Sequence, residues 1–225
     1  MTTTQPTTAT ALFLLALKDD GHPRAWGQQT TYGLAGALLT DLVLAGRLAV
    51  SPNGKRLVVV DQTPTGDELL DEGLVRFAGR DGKRLASTIP PVAKGLDRVV
   101  GRYLARRGVV REEEGSLWGL VPTRFPLVDR QPEQQLRAQL AEVLRGGSPR
   151  PADLALVGLV HGLRLDGKVF RADELGMSRG DLRRRISDLA EGGDPGADAT
   201  TAAIRRLNAS AVPAMAACVG PAASC

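Results

Sequence analysis

Cysteine is nearly missing from this sequence. Only Cys218 and Cys225 occur, both near the C-terminal end, with neither a metal-ligand spacing nor a disulfide framework. Histidine is as scarce: His22 and His161 stand far apart in the chain, with no Cys/His/Asp cluster around either. There is no G-x-x-x-x-G-K-[ST] phosphate loop, no G-x-S-x-G elbow and no H-E-x-x-H pair. The sequence therefore gives no ground for an enzyme, and neither a metal nor a cofactor is expected. His161 falls among Leu156, Leu159 and Leu163 and reads as a packed helix residue rather than a catalytic base. Aromatic residues make up only 4% of the chain, so the core must be Leu, Val and Ala, a composition that favours helices. Long apolar runs are also lacking. Ala11–Leu17 is too short to span a bilayer, and no basic region precedes it as in a signal peptide. A cytoplasmic protein, or one peripheral on the cytoplasmic face of a membrane, is expected.

What is present is arginine, 24 residues against five lysines, in a chain of formal charge +4. A GC-rich coding sequence accounts for most of that bias. The mild basicity still suits phosphate-bearing partners. Thr10–Lys18 reads as a short helix and Thr31–Leu48 as a longer one, with Leu34, Leu38, Leu39 and Leu42 at helical spacing. RLAV-SPNGK-RLVVVD reads as a β-hairpin around Asn53-Gly54. TPTGDELLDEGLVRFA opens another helix, with Thr65 and Glu68 matching a capping box. The segment 80–88 reads as a polar connection, followed by one long helix over Pro90–Arg107 that stops at Gly108. Val109–Val121 reads as a second hairpin. Helices follow at Gln131–Arg145, Ala152–Leu163 and Arg179–Ala190, then an Ala-rich one over Thr200–Val219. The expected class is mainly α: a single helical domain over residues 9–219 with two β-hairpins, a disordered start at 1–8 and a tail at 220–225.

Two features point towards function. On the predicted Pro90–Arg107 helix, Lys94, Arg98, Arg102 and Arg106 recur every four residues and share one face. Such a stripe is either the solvated side of an amphipathic helix or a phosphate site, since guanidinium groups fork onto phosphate oxygens. The second feature is REEEGSLWGLVPTRFPL (111–127). Either Leu117, Trp118 and Val121 alternate into the core, or the tip presents its apolar residues, Leu117, Trp118 and Leu120, and a tryptophan suits the membrane interface.

Several stretches together resemble the Golgi phosphoprotein 3 family. They are LFLLALKDDG (12–21), the W-x6-GL-x-G-x-LL-x-DL-x-L-x-GRL pattern (26–48), PTGDELLDEGL (64–74) and YLARRGVV (103–110). PTGDELLDE is the most specific. The resemblance implies a mainly helical fold with a membrane-facing hairpin at Leu117, Trp118 and Leu120. For eukaryotic members it also implies binding to phosphatidylinositol 4-phosphate and an adaptor role between Golgi membranes, glycosyltransferase tails and a vesicle coat. The family's lipid-binding tryptophan corresponds to Trp26. Its next arginine corresponds to Ala35, a departure. Its two helix positions correspond to Lys94, a basic match, and Asp97, a reversal of charge. Arg98 and Arg102 beside Lys94 stand in for part of the pocket.

The leading expectation is a peripheral membrane protein that binds anionic phospholipid, with Trp26, Lys94, Arg98 and Arg102 at the headgroup and the hairpin as a modest anchor. Two other classes fit the same elements. A helix followed by RLAVSPNGKRLVVV also reads as a winged-helix DNA-binding module, and a scaffold that self-associates through the second hairpin is the third. Nucleic acid is disfavoured because the helix before the first hairpin carries only Asp41 as a charge, and a recognition helix needs side chains that reach phosphates and base edges.

Overall fold

Segments that are apolar on every side decide the arrangement, because such a helix is stable only when enclosed. A computed structural model of the chain describes residues 6–18, 20–24, 28–115 and 123–191, together with Ile204, residues 207–209 and Pro213. In it, α1 (Thr8–Ala16) is buried at every position, and α2 (Gln28–Leu44) is buried from Tyr32 to Leu42. These two helices pack on each other and on α7 (Pro151–Gly162). Around this centre lie α3 (Glu68–Ala78), α4 (Leu85–Ala93), α5 (Leu96–Arg106), α6 (Gln131–Leu144) and α10 (Arg179–Glu191). The mainly helical class is as expected.

The buried start of α1 shows why α2 keeps a charge. Four amides at a helix N-terminus lack intrahelical partners. In α1, Thr8 and Ala9 donate theirs to the two carboxylate oxygens of Asp41, at 2.7 and 2.9 Å. Thr10 donates to the Thr7 hydroxyl and Ala11 to the Thr7 carbonyl. Burial nevertheless pushes the Asp41 carboxyl up to about 6.

The first hairpin forms as read, with β1 (Leu48–Val50) antiparallel to β2 (Leu57–Val59) and Leu48 opposite Val59. Gly54 in its loop has φ +70°, a left-handed conformation that costs glycine nothing. The start of α3 differs from the capping box expected of Thr65 and Glu68. Asp67 is the N-cap and accepts from the Leu69 and Leu70 amides, while Thr65 donates its amide and hydroxyl to Asp71. Asp67 is the stronger cap because its carboxylate also suits the positive end of the helix. It accepts the Tyr103 hydroxyl as well, at 2.6 Å, which ties α3 to α5.

The expected long helix Pro90–Arg107 is two helices. Pro90 and Pro91 lie inside α4, and each removes an amide from the ladder. The chain leaves α4 at Lys94, and Gly95 takes φ +69° before α5 begins. The second hairpin also has a different span. Val110 bridges Leu127 and Glu113 bridges Arg124, so the return arm is 124–127 rather than the residues before Val121. Residues 116–122, between the arms, lie outside the described residues. The one-turn helices α8 (Asp166–Val169) and α9 (Ala172–Leu175) were not anticipated, because four residues carry no readable period. Most of the expected 200–219 helix is outside the described residues. Its Ile204, Leu207 and Asn208 are buried, and Asn208 donates to the Leu154 carbonyl.

Candidate functional site

α5 divides its faces sharply. Leu96, Val100, Tyr103 and Leu104 are buried, whereas Arg98, Arg102 and Arg106 are exposed. Lys94 is exposed too, but it closes α4 and is joined to α5 through Gly95. The four-residue spacing therefore does not put all the cations on one helix; it brings Lys94 to the N-terminal end of the arginine row.

The backbone at Lys94 is held in place. Arg76 donates to the carbonyls of Val92 and Lys94, both at 2.9 Å, and thereby closes the end of α4. Glu72 orients that guanidinium through a 2.8 Å ion pair one turn earlier on α3. Sequence reading missed Arg76, although a Glu four residues before an Arg on a predicted helix was a usable signal. PTGDELLDE thus acquires a structural account. Asp67 caps α3, Asp71 closes the loop before it, and Glu72 steers the arginine that fixes Lys94.

The row itself is unequal. Arg102 donates to both carboxylate oxygens of Glu112, at 2.9 and 3.2 Å, and Arg106 pairs with Glu68 at 2.6 Å. Lys94 and Arg98 have no ion pair among the described residues. The same contact between Arg102 and Glu112 lays the first arm of the second hairpin beside α5. The glutamates of that arm are largely neutralised: Glu113 takes Arg111 and Arg124, both at 2.6 Å. The hydrogen bond from Arg111 is the main reason its carboxyl lies below the usual range.

Phe125 anchors the base of the hairpin. Its ring meets Phe13 of α1 edge-on, with centroids 5.7 Å apart. It lies so close over Gly101 of α5 that a Cβ there would come within 2.5 Å of the ring. Gly21, at φ +80°, packs against the Phe125 and Pro126 backbone, where no side chain fits.

Of the residues predicted to bind lipid, Lys94, Arg98 and Arg102 are all exposed, the two arginines one turn apart on α5. Trp26, Leu117, Trp118 and Leu120 lie outside the described residues. Ala35 is fully buried in α2, so the family's arginine position points into the core here. Asp97 sits in the first turn of α5, where a carboxylate complements the helix dipole. His161 departs from its expected packed role. It is part-exposed at the end of α7, 3.2 Å from Asp166, and lines a cleft of about 920 Å³ with Phe170 and Ile186. Burial raises the Asp166 carboxyl above its ordinary value.

A helical domain built round enclosed central helices, with a hairpin anchored beside a basic helix, is one recognisable class of protein. The sequence model of the family described as Golgi phosphoprotein 3 (GPP34) matches residues 9–207, and the chain belongs to that family. It is also similar to a protein of Eremothecium gossypii named vacuolar protein sorting-associated protein 74. The two are 23% identical over 156 residues, covering 59% of this chain and 47% of the relative. The chain thus matches about half the length of that curated relative.

Proposed function

We propose that this protein attaches reversibly to the cytoplasmic face of a membrane by holding an anionic phospholipid headgroup, of the phosphoinositide type, at Lys94 and Arg98. The observation that carries the reading is this pair of exposed cations, without ion pairs among the described residues, where α4 gives way to α5 beside an anchored hairpin. Arg102 joins by exchanging Glu112 for a lipid phosphate. Its ion pair is half-exposed, and such pairs contribute about 0–1 kcal/mol, so a phosphate competes with it. Trp26, next to the Gly21–Arg24 loop in sequence, lies against the headgroup in this reading. Leu117, Trp118 and Leu120 supply the apolar anchor. Basic residues near an anionic surface contribute about 1 kcal/mol each, and one weak anchor gives reversible attachment. Membership of the Golgi phosphoprotein 3 family supports the assignment and is consistent with an adaptor role. No helix among the described residues is long and apolar enough to cross a membrane, so attachment through one of them is at the surface.

Flotation of the purified chain with vesicles tests this. Neutral lipid, generic anionic lipid and phosphatidylinositol 4-phosphate are compared at two salt concentrations. Flotation with anionic vesicles that Arg98→Ala/Arg102→Ala weakens and Trp118→Glu abolishes is the expected result. Equal flotation of the arginine variant would sink the headgroup site. Salt-independent self-association lost only with Trp118→Glu would turn the hairpin into a subunit contact.

A further inference from the structure

The pattern [ND]-G-K-R-L occurs twice in the chain: NGKRL at 53–57, running from the first hairpin's turn into β2, and DGKRL at 81–85, between α3 and α4. The fold brings the two copies together. They run antiparallel, with Arg56 directly opposite Arg84. The bonds on either side of that pair are reciprocal. The Leu57 amide donates to the Lys83 carbonyl and the Leu85 amide to the Lys55 carbonyl, both at 2.9 Å. Gly54 and Gly82 take the same left-handed backbone, at φ +70° and +67°, and Leu57 and Leu85 are both buried. A local two-fold axis therefore relates the copies and passes between the two arginines.

The arrangement is electrostatically unfavourable as it stands. A cross-strand pair flanked by such bonds is of the non-hydrogen-bonded kind, with Cα atoms about 4.5 Å apart and both side chains on one face of the ladder. Like charges placed directly opposite each other destabilise a ladder. Both arginines are exposed, and neither has an ion pair among the described residues. The one carboxylate within the two copies, Asp81, accepts the Val59 amide at 2.9 Å. Lys55 and Lys83 leave from the other face by alternation and add positive potential. Arg84 is also the N-cap of α4, where a cation opposes the helix dipole, and no side chain caps that end. Arg56 is held in place: its guanidinium donates to the Gly82 carbonyl at 2.6 Å, across the ladder, and keeps further donors. The Arg84 guanidinium has no hydrogen-bond partner among the described residues.

We infer that Arg56 and Arg84 bind a phosphate group between them. A phosphate is tetrahedral and offers an oxygen edge to each of two guanidinium forks. A carboxylate has one such edge and is satisfied by a single arginine. The bound anion removes the repulsion across the ladder and suits the positive end of α4. Arg84 and Lys94 flank opposite ends of α4, about 15 Å apart along the helix, so the site uses none of the residues of the headgroup reading.

The experiment is calorimetric titration of the full chain with inorganic pyrophosphate, beside flotation on vesicles containing phosphatidic acid, a lipid phosphomonoester. Arg56→Gln/Arg84→Gln is compared with Arg179→Gln/Arg184→Gln, which removes two exposed charges from α10. The first variant should weaken pyrophosphate binding by about tenfold or more, and the control by less than about twofold. Both should keep the parent's circular dichroism. Arg56→Gln and Arg84→Gln should each lose nearly as much as the double variant, because a bridged anion needs both forks. If the double variant also loses phosphatidic acid vesicles, the phosphate comes from a lipid. If its vesicle binding equals the parent's, the ligand is a soluble phosphate. No pyrophosphate binding by the parent chain, equal binding by parent and double variant, or single losses that simply add would overturn the bridged site.

Discussion

α2 and α5 pack against each other, yet their side chains answer to different demands. α2 is enclosed through most of its length, and its only charge, Asp41, serves the backbone of a neighbouring helix. α5 buries one side and exposes a row of arginines on the other. An enclosed helix is constrained at every position by packing, so changes in it register as stability. The outer face of a segregated helix is not constrained in that way: Arg102 and Arg106 pair with Glu112 and Glu68, and Arg98 has no ion pair among the described residues. The contrast also bears on the winged-helix alternative. α2 is the helix before the β1–β2 hairpin, and with Tyr32 to Leu42 buried it has no face to lay in a DNA groove.

The hardest blow to α2 is Asp41→Ala. It leaves the Thr8 and Ala9 amides buried and unpaired, each at about 1–3 kcal/mol, so a loss of roughly 2–6 kcal/mol is expected in denaturant unfolding. The parent chain should also carry a pH signature. The Asp41 carboxyl is raised by burial to about 6, above its unfolded value of about 4. Between those values the folded state binds more protons than the unfolded one. Stability from this group is therefore complete below pH ~4 and lost as pH rises through ~6, by roughly 3 kcal/mol in all. Unfolding midpoints across that window should slope down in the parent and flatten in Asp41→Asn. The same slope in both would show that Asp41 is not the group responsible.

On the buried side of α5, Gly101→Ala is the matching test. The new methyl would enter the Phe125 ring, and overpacking of this kind costs about 1–3 kcal/mol. Because Phe125 also roots the second hairpin, the loss should be accompanied by faster proteolysis at the arms 110–113 and 124–127. Lower stability without faster cleavage there would mean that the hairpin is held by other contacts.

The sequence revealed the enclosed helices well, because leucines at helical spacing on all sides have few other destinations. It revealed α5 less well. The four-residue spacing of Lys94, Arg98 and Arg102 was visible, but the break at Gly95 was not, since a glycine after two prolines reads equally as a kink. The Asp41 cap was not legible: its carboxylate is 32 and 33 residues from the amides it satisfies, and only the packing of α1 on α2 joins them. The same holds for the Phe125 anchor. The hydrogen bond from Lys168 to the Arg24 carbonyl spans 144 residues and was out of reach for the same reason. Local periodicity reports which elements exist, while the site residues depend on which ends of those elements meet.

The smallest effect on stability should come from the outer face of α5, where it decides most about function. In Lys94→Gln/Arg98→Gln, two exposed cations without ion pairs among the described residues are neutralised, and unfolding free energy should move by no more than about 0.5 kcal/mol. Binding to anionic vesicles should fall by about 2 kcal/mol, roughly thirtyfold, at low salt, and by less as salt screens the surface. Unchanged stability with lost binding would separate α5 from α2 by measurement as they are separated by burial. A substantial loss of stability instead would make these cations part of the fold, and the exposed row would then be no evidence for a headgroup.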